Sequence, residues 1–444
     1  MNPRQGLEVC GRMLPVLGLL LGNPHARAAE SPVEASPTNP VTAPVSSPLT
    51  LDAAVATALR DNAQLKSLRA RWEAMLERPA QTGALPNPML AYSGSDTASG
   101  GTWPDTNEKR IMVAQTFPWF GKRDLRAGIA RKDAEAMLWE LESMTRDIVM
   151  MVKETYFDFY ATQRVIATTR KEASVLARMA KIAETMYSTG VRSQQDVLAA
   201  RTEITMLKQR LLELDAQEST LAAKLNTLLD RQAGATLGAV VPPPGTEVNA
   251  TLEALLAAAA TNRPEVRVAQ AKIDRYDLES KLMAKESAPD YQLGLEYRNI
   301  SDGDEMVMFT VGLDLPVWSS RNRAGVREAE KMRESSLAAR QAAERNSALD
   351  VQDASFKLQT ARRMLALYKS ELIPQAEARF QSSESGYQTG SVDFMDFLES
   401  QRFLLNARVM AAMAEGSVGM NFARLERATG TDLAPGINAG AGKP

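Results

Sequence analysis

Histidine and cysteine most often carry general-base, nucleophilic and zinc chemistry, and the 444 residues hold one of each, His25 and Cys10. Both lie near the start, where Arg4 and Arg12 precede the apolar run "MLPVLGLLLG" and Ala26-Arg27-Ala28 supplies a small-x-small cleavage pattern. An export signal over residues 1–28, cleaved near Ala28, is predicted. The rest of the chain would then hold neither side chain, which removes disulfides, thiol nucleophiles, imidazole bases and the usual zinc ligands. No enzymatic activity and no cofactor are expected. Cys10 precedes the apolar run instead of following it, so no lipid anchor is predicted there. Methionine is the remaining soft ligand, and Met150-Met151, Met306, Met308, Met410 and Met413 stand out among 21. Methionine at helical spacing is usually core filler, so no metal site is predicted from these residues.

Charge is nearly balanced, at −2 for the whole chain and near −4 without the leader, so no nucleic-acid partner is expected. No later segment approaches the roughly 18 uninterrupted apolar residues of a membrane-spanning helix. Residues 29–49 carry five prolines among Ser, Thr and Ala from Ser31 to Thr50 and read as a disordered segment. A second break, the Pro- and Gly-rich stretch 232–249, separates two parts of similar length.

Those parts repeat each other. "LTLDAAVATALRDNAQL" from Leu49 matches "ATLEALLAAAATNRPEV" from Ala250, and "QTFPWFGKRDLRAGIA" from Gln115 matches "LDLPVWSSRNRAGVR" from Leu313. "YSTGVRSQQDVLAAR" from Tyr187 matches "YQTGSVDFMDFLESQ" from Tyr387. Landmarks in one order at a spacing near 200 residues mark a duplication, with repeats over 50–231 and 250–430 and a flexible tail over 431–444. Each repeat reads as helix, two strands, long helix, turn and helix.

The strands come from a period of two. Tyr291, Leu293, Leu295 and Tyr297, then Val307, Phe309, Val311 and Leu313, fall on one face; Leu90, Tyr92, Ile111 and Val113 follow the same rule until Gln115 breaks it. Met306 and Met308 fall on the opposite face. The following segments change period: Met137, Leu141, Met144, Ile148 and Met151, and later Val351, Leu358, Leu365 and Leu372, have coiled-coil spacing. No proline interrupts Arg126–Met186, so a helix of roughly 90 Å is predicted at 1.5 Å per residue, while Pro374 predicts a kink in its counterpart.

Short amphipathic strands of this length suit a tilted membrane crossing, yet four cannot close a barrel and an open edge in lipid leaves backbone groups unsatisfied. Several chains must contribute: two would give eight strands around a filled interior, three would give twelve around a water-filled one. Met306 and Met308 would then face the lumen. Pro118 and Pro316 mark the strand-to-helix junctions, and Trp119, Phe120 and Trp318 beside them suit a membrane-water boundary. Lys122, Arg123, Arg321 and Arg323 would lie just outside it, within reach of lipid phosphates.

These junctions, the duplicated strand pairs and both Y-x-T-G turns resemble the TolC-like outer-membrane efflux channel family over nearly the whole chain after the leader. "GALPNPMLAYSG" with "QTFPWFGKR" is most similar to its heavy-metal (CusC/CzcC-like) branch. The resemblance implies a mainly α fold with membrane β: a homotrimeric twelve-stranded barrel, four strands per protomer, continued by a long periplasmic α-helical coiled-coil barrel. It implies an exit duct in the outer membrane, partnered by a periplasmic adaptor and an inner-membrane pump of RND type, passing substrates that include heavy-metal cations. It also places Asp196, Asp396 and Glu399 at a periplasmic constriction, with Asp393 an additional carboxylate here, and Gly190 and Gly390 in the turns that receive the adaptor. Val392 stands where the family has a basic residue that closes the tip, so that closing scheme does not transfer intact. The competing reading is a periplasmic adaptor or another coiled-coil protein, which needs one hairpin and compact β modules instead of two matching strand pairs.

Overall fold

A computed structural model of the chain describes residues 48–95, 108–238, 240–242, 246–248, 250–300 and 304–433. The leader with His25 and Cys10, residues 29–47 and the end of the tail lie outside these described residues. In chain order the first half gives α1 (Leu51–Asp61), α2 (Ala63–Leu76), α3 (Arg78–Gly83), β1 (Met89–Ser95), β2 (Glu108–Phe117), α4 (Lys122–Ser188) and α5 (Gln194–Leu228). The second half gives α6 (Leu252–Asn262), α7 (Pro264–Lys285), β3 (Asp290–Ile300), β4 (Glu305–Asp314), α8 (Ser319–Leu367), a π-helical turn (Tyr368–Leu372), α9 (Ile373–Thr389) and α10 (Phe394–Thr429).

The duplication extends to the caps. Thr50 accepts a hydrogen bond from the Ala53 amide and Thr251 from the Ala254 amide, each at 3.3 Å, so two helices of 11 residues start in the same way. The predicted long helix is present and longer, 67 residues or about 100 Å at 1.5 Å per residue. At Pro374 the expected disturbance takes the form of the π-helical turn just before it. Proline offers no N–H to the Ser370 carbonyl, and a wider turn accommodates its ring.

The helices form a ribbon. In the half near the turns α5 packs on α4, α4 on α10, and α10 on α9; in the strand-proximal half α7 lies between α4 and α8. Among the described residues five apolar clusters hold it, three of them large. Ile148, Val152 and Tyr156 of α4 pack with α1 and Leu225; Val351, Leu358 and Phe422 join α8 and α10 to α6; Tyr387, Phe394 and Phe397 pack with Leu176 and Val197 beneath the turns. The predicted seams at Met137–Met151 and Val351–Leu372 therefore face the packed side. Segments read as loose in sequence also supply anchors. Leu49 bridges Val240 and accepts from the Tyr156 hydroxyl at 2.9 Å, and the Leu433 amide donates to Glu426.

Close helix approach at α4 and α10 needs two glycines. A Cβ on Gly416 would come within 2.6 Å of the Ala161 Cβ, and one on Gly419 within 2.0 Å of the Phe157 ring. Charged residues then cross-link the four helices where α6 turns into α7. Arg427 binds Asp147 and Glu265, Arg263 binds Asp350, and Lys153 meets Glu426 at 2.6 Å. Burial alone would raise the Glu265 carboxyl, but the hydrogen bond and charge of Arg427 override it and hold the group at about 2.

The four strands make one antiparallel sheet in the order β1-β2-β3-β4. The register carries the predicted alternation across all of them: Leu90, Val113, Leu295 and Phe309 form one row and Tyr92, Ile111, Tyr297 and Val307 the next. The last row on that face, Gly94, Lys109, Asn299 and Glu305, is polar and lies at the end away from the helices. Gln115, which breaks the alternation, donates its amide to the carbonyls of Pro86 and Thr116. Among the described residues no helix packs across either face of the sheet.

Candidate functional site

The two turns at the far end of the ribbon bring together most of the residues singled out in sequence. α4 ends at Ser188 and the chain reverses through Gly190 at φ +74°; α9 ends at Thr389 and reverses through Gly390 at φ +83°. Both conformations are left-handed and favour glycine. A Cβ at either position would meet no atom within 4 Å, so both turns stand open to a partner. In the second turn Val392 folds back over Gly386, where a Cβ would lie 2.4 Å from its Cγ2.

The four carboxylates are placed very differently. Asp196 is buried in the first turn of α5 and accepts from the Ser193 hydroxyl at 3.0 Å. Asp393 is the N-cap of α10, accepting from the Phe394 amide. Glu399 is exposed and pairs with Arg379 at 3.0 Å. Asp396 is exposed one turn into α10, next to the helix N-terminus.

Arg192 links the turns. Its guanidinium donates to the Val392 carbonyl at 3.0 Å and lies 5.2 Å from the centre of the buried Tyr387 ring. Burial, with the negative charge of Asp196, pushes the Tyr387 phenol above its ordinary value, against the opposing charge of Arg192. Where the resemblance implies a basic residue, the second turn has Val392, and the cation that reaches it comes from the first turn. The aromatic bed beneath, Phe380, Tyr387, Phe394 and Phe397 with centroids 5.2–5.9 Å apart, was not singled out in sequence. The spacing of Phe394 and Phe397 on a helix start could have found it.

At the opposite end are the strand-to-helix junctions. Pro118 and Pro316 each follow a strand, but neither occupies a first helical turn: α4 starts at Lys122 and α8 at Ser319. They end strands and do not begin helices. Phe120 and Trp318 are both 71% exposed, and Trp119 less so. The expectation that Lys122 reaches lipid phosphates is corrected. Its side chain is 2% exposed and its ammonium bonds the Ala288 carbonyl at 2.9 Å and Asp290 at 2.8 Å, with Glu286 at 3.2 Å. Arg123 is likewise engaged, donating to the Gly83 carbonyl at 2.7 Å, whereas Arg321 and Arg323 are exposed. Among the described residues no helix is long and apolar enough to cross a membrane.

Known proteins share this arrangement. The model of a family described as outer membrane efflux protein matches residues 54–231 and 255–431, one match per repeat. The cobalt-zinc-cadmium resistance protein CzcC of Cupriavidus metallidurans is 26% identical over 413 residues, covering 90% of this chain and 94% of that protein. Among solved structures, the outer membrane protein VceC of Vibrio cholerae has a TM-score of 0.73 at 15% identity, covering 86% of this chain and 97% of its own. CusC has a TM-score of 0.73 at 16% identity, covering 86% and 92%.

Proposed function

We propose, on the premise that the chain belongs to the outer membrane efflux protein family, that three copies form the exit duct of a tripartite pump for heavy-metal cations. The chain is an outer-membrane protein with a large periplasmic portion, and its family conducts substrates outward. The observation that carries the trimeric reading is the uncovered sheet. One face carries the Leu, Ile, Val, Phe and Tyr side chains, the other charged and polar residues with four methionines, and β1 and β4 are open edges. In lipid, each edge must pair with another chain. Three copies give twelve strands around a lumen wide enough for water.

The helical ribbon supports the same assembly. Leu198, Met206 and Leu212 are exposed along α5 at one margin, and Leu349, Phe356 and Leu367 along α8 at the other, apolar margins that a neighbouring copy would cover. Three tips would then meet, and Asp396, the carboxylate left exposed without a capping role or an ion pair among the described contacts, would form an acidic ring that favours cations. The open glycine turns suit a hairpin of a periplasmic adaptor, which would join the duct to an inner-membrane pump of RND type. The metal cargo rests on similarity to CzcC along almost the whole chain. Deleting the gene is expected to lower tolerance to cobalt, zinc or cadmium while leaving dye and drug tolerance intact. Unchanged metal tolerance with lost dye tolerance would overturn the metal cargo.

A further inference from the structure

The sheet sorts its large apolar side chains by type. On the lipid-directed face they are Leu, Ile, Val, Phe and Tyr; on the opposite face, among the described side chains, they are Met89, Met112, Met306 and Met308. All four methionines of the strands thus share the face directed at the lumen. Core filling does not explain them, because among the described residues no helix packs on that face, and Met89 and Met306 are 48% and 46% exposed. If only volume or strand propensity mattered, Leu or Val would serve, as on the other face.

The register sets them in two pairs, Met89 with Met112 and Met306 with Met308, on either side of β3. Met112 and Met308 lie opposite Glu296 on its two sides, Met306 is opposite Arg298 in the next row, and Met89 is diagonal to Met112. Diagonal neighbours in a sheet are about 7–8 Å apart, within reach of long side chains. The charges around them cancel: Arg298 pairs with Glu296 at 3.3 Å and Glu108 at 2.9 Å, and Arg110 pairs with Glu108 at 2.9 Å. What remains to meet a solute is neutral: the four thioethers and the exposed hydroxyls of Ser93 and Thr310, of which only sulfur is soft and polarizable. Thioethers select soft cations over hard or borderline ones, and neutral ligands hold them weakly. Weak, repeated sites are what conduction requires, since a tight site would retain the ion.

We infer that the lumen face of the sheet carries low-affinity thioether sites for soft cations such as Ag(I) and Cu(I), one formed by Met89 with Met112 and one by Met306 with Met308. Their role as a stage in export, though not the binding itself, rests on the metal-duct reading.

The test is isothermal titration of the detergent-purified full chain with silver nitrate in chloride-free buffer, against a variant with all four residues changed to leucine. Leucine keeps the volume and removes the sulfur. Silver affinity is expected to fall at least about tenfold in the variant, roughly 1.4 kcal/mol, while zinc binding stays unchanged. Equal silver affinity in both proteins would overturn the sites. Should the fourfold variant fail to assemble, Met306→Leu with Met308→Leu is expected to weaken silver binding in the same direction, and no change there would equally overturn it. Metal tolerance of the deletion strain bears only on the duct reading, so the two failures are distinguishable.

Discussion

The two strand-to-helix junctions have one origin and two fates. Pro118 aligns with Pro316 and Phe120 with Trp318 at an offset of 198 residues, but the helix starts, Lys122 and Ser319, are offset by 197. The extra residue is Gly121, held at φ +80°, where Lys285 crosses to donate to the Phe120 carbonyl. Its turn carries Lys122 into the carboxylates of Asp290 and Glu286. The second copy has Ser319 at that place and leaves Trp318 and Arg321 exposed. Position explains the difference. β2 is an inner strand whose junction is enclosed by α7 and β3 of the same chain, whereas β4 is an edge strand whose junction would meet the next copy in the proposed trimer. Duplication supplied two equivalent ends, and the chain closes one and leaves the other open.

The largest expected effect breaks the closed end. Lys122→Met should cost about 3 kcal/mol, at the lower limit for breaking a buried ion pair, because Glu286 keeps Arg126 and Asp290 keeps the Trp119 amide. Ser319→Ala at the equivalent place should stay within about 0.5 kcal/mol. Denaturation midpoints of the purified channel measure both, and equal losses would erase the comparison. Gly121→Ala should cost about 1–2 kcal/mol for the left-handed backbone, before Lys285 is displaced.

Acid tests a second enclosed clasp besides the Lys122 junction, whose Asp290 carboxyl is also held below its ordinary value, against burial, by the Lys122 hydrogen bond. The folded value of Glu265 lies below its unfolded value near 4.3, so its contribution is present above that pH and is lost as pH falls towards about 2. The stability gap between the native chain and Glu265→Gln should therefore close between about pH 4 and pH 2, and a constant gap would remove the clasp. At the tips the contrast is between a capped carboxylate and an uncapped one. Asp396→Lys should lower cation selectivity in bilayers, while Asp393→Asn, which keeps a capping oxygen, should change it least. Unchanged selectivity in Asp396→Lys would take that residue out of the constriction.

Much of the fold was legible because two periods dominate the sequence. Alternation in Tyr291–Tyr297 and Val307–Leu313 fixed the sheet face, and the stripes at Met137–Met151 and Val351–Leu372 fixed the packed side of the long helices. The adaptor alternative fell with the matched strand pairs and the family match. What stayed hidden depends on contacts between distant residues. Lys122 read as a charge within reach of lipid phosphates because its partners lie 164 or more positions away. Gly416 and Gly419 gave no signal, since their role is the approach of Phe157 and Ala161 from another helix. The contacts of Asp196 and Asp393 are local, but a carboxylate near a helix start serves such contacts and ion selection with the same residue type.

The most direct test of the account is the mass of the assembly released by detergent. Native mass spectrometry of the membrane-extracted protein should give three copies of the chain, stable until the micelle is removed. A monodisperse single chain, soluble without detergent, would leave β1 and β4 unpaired in lipid and contradict the duct.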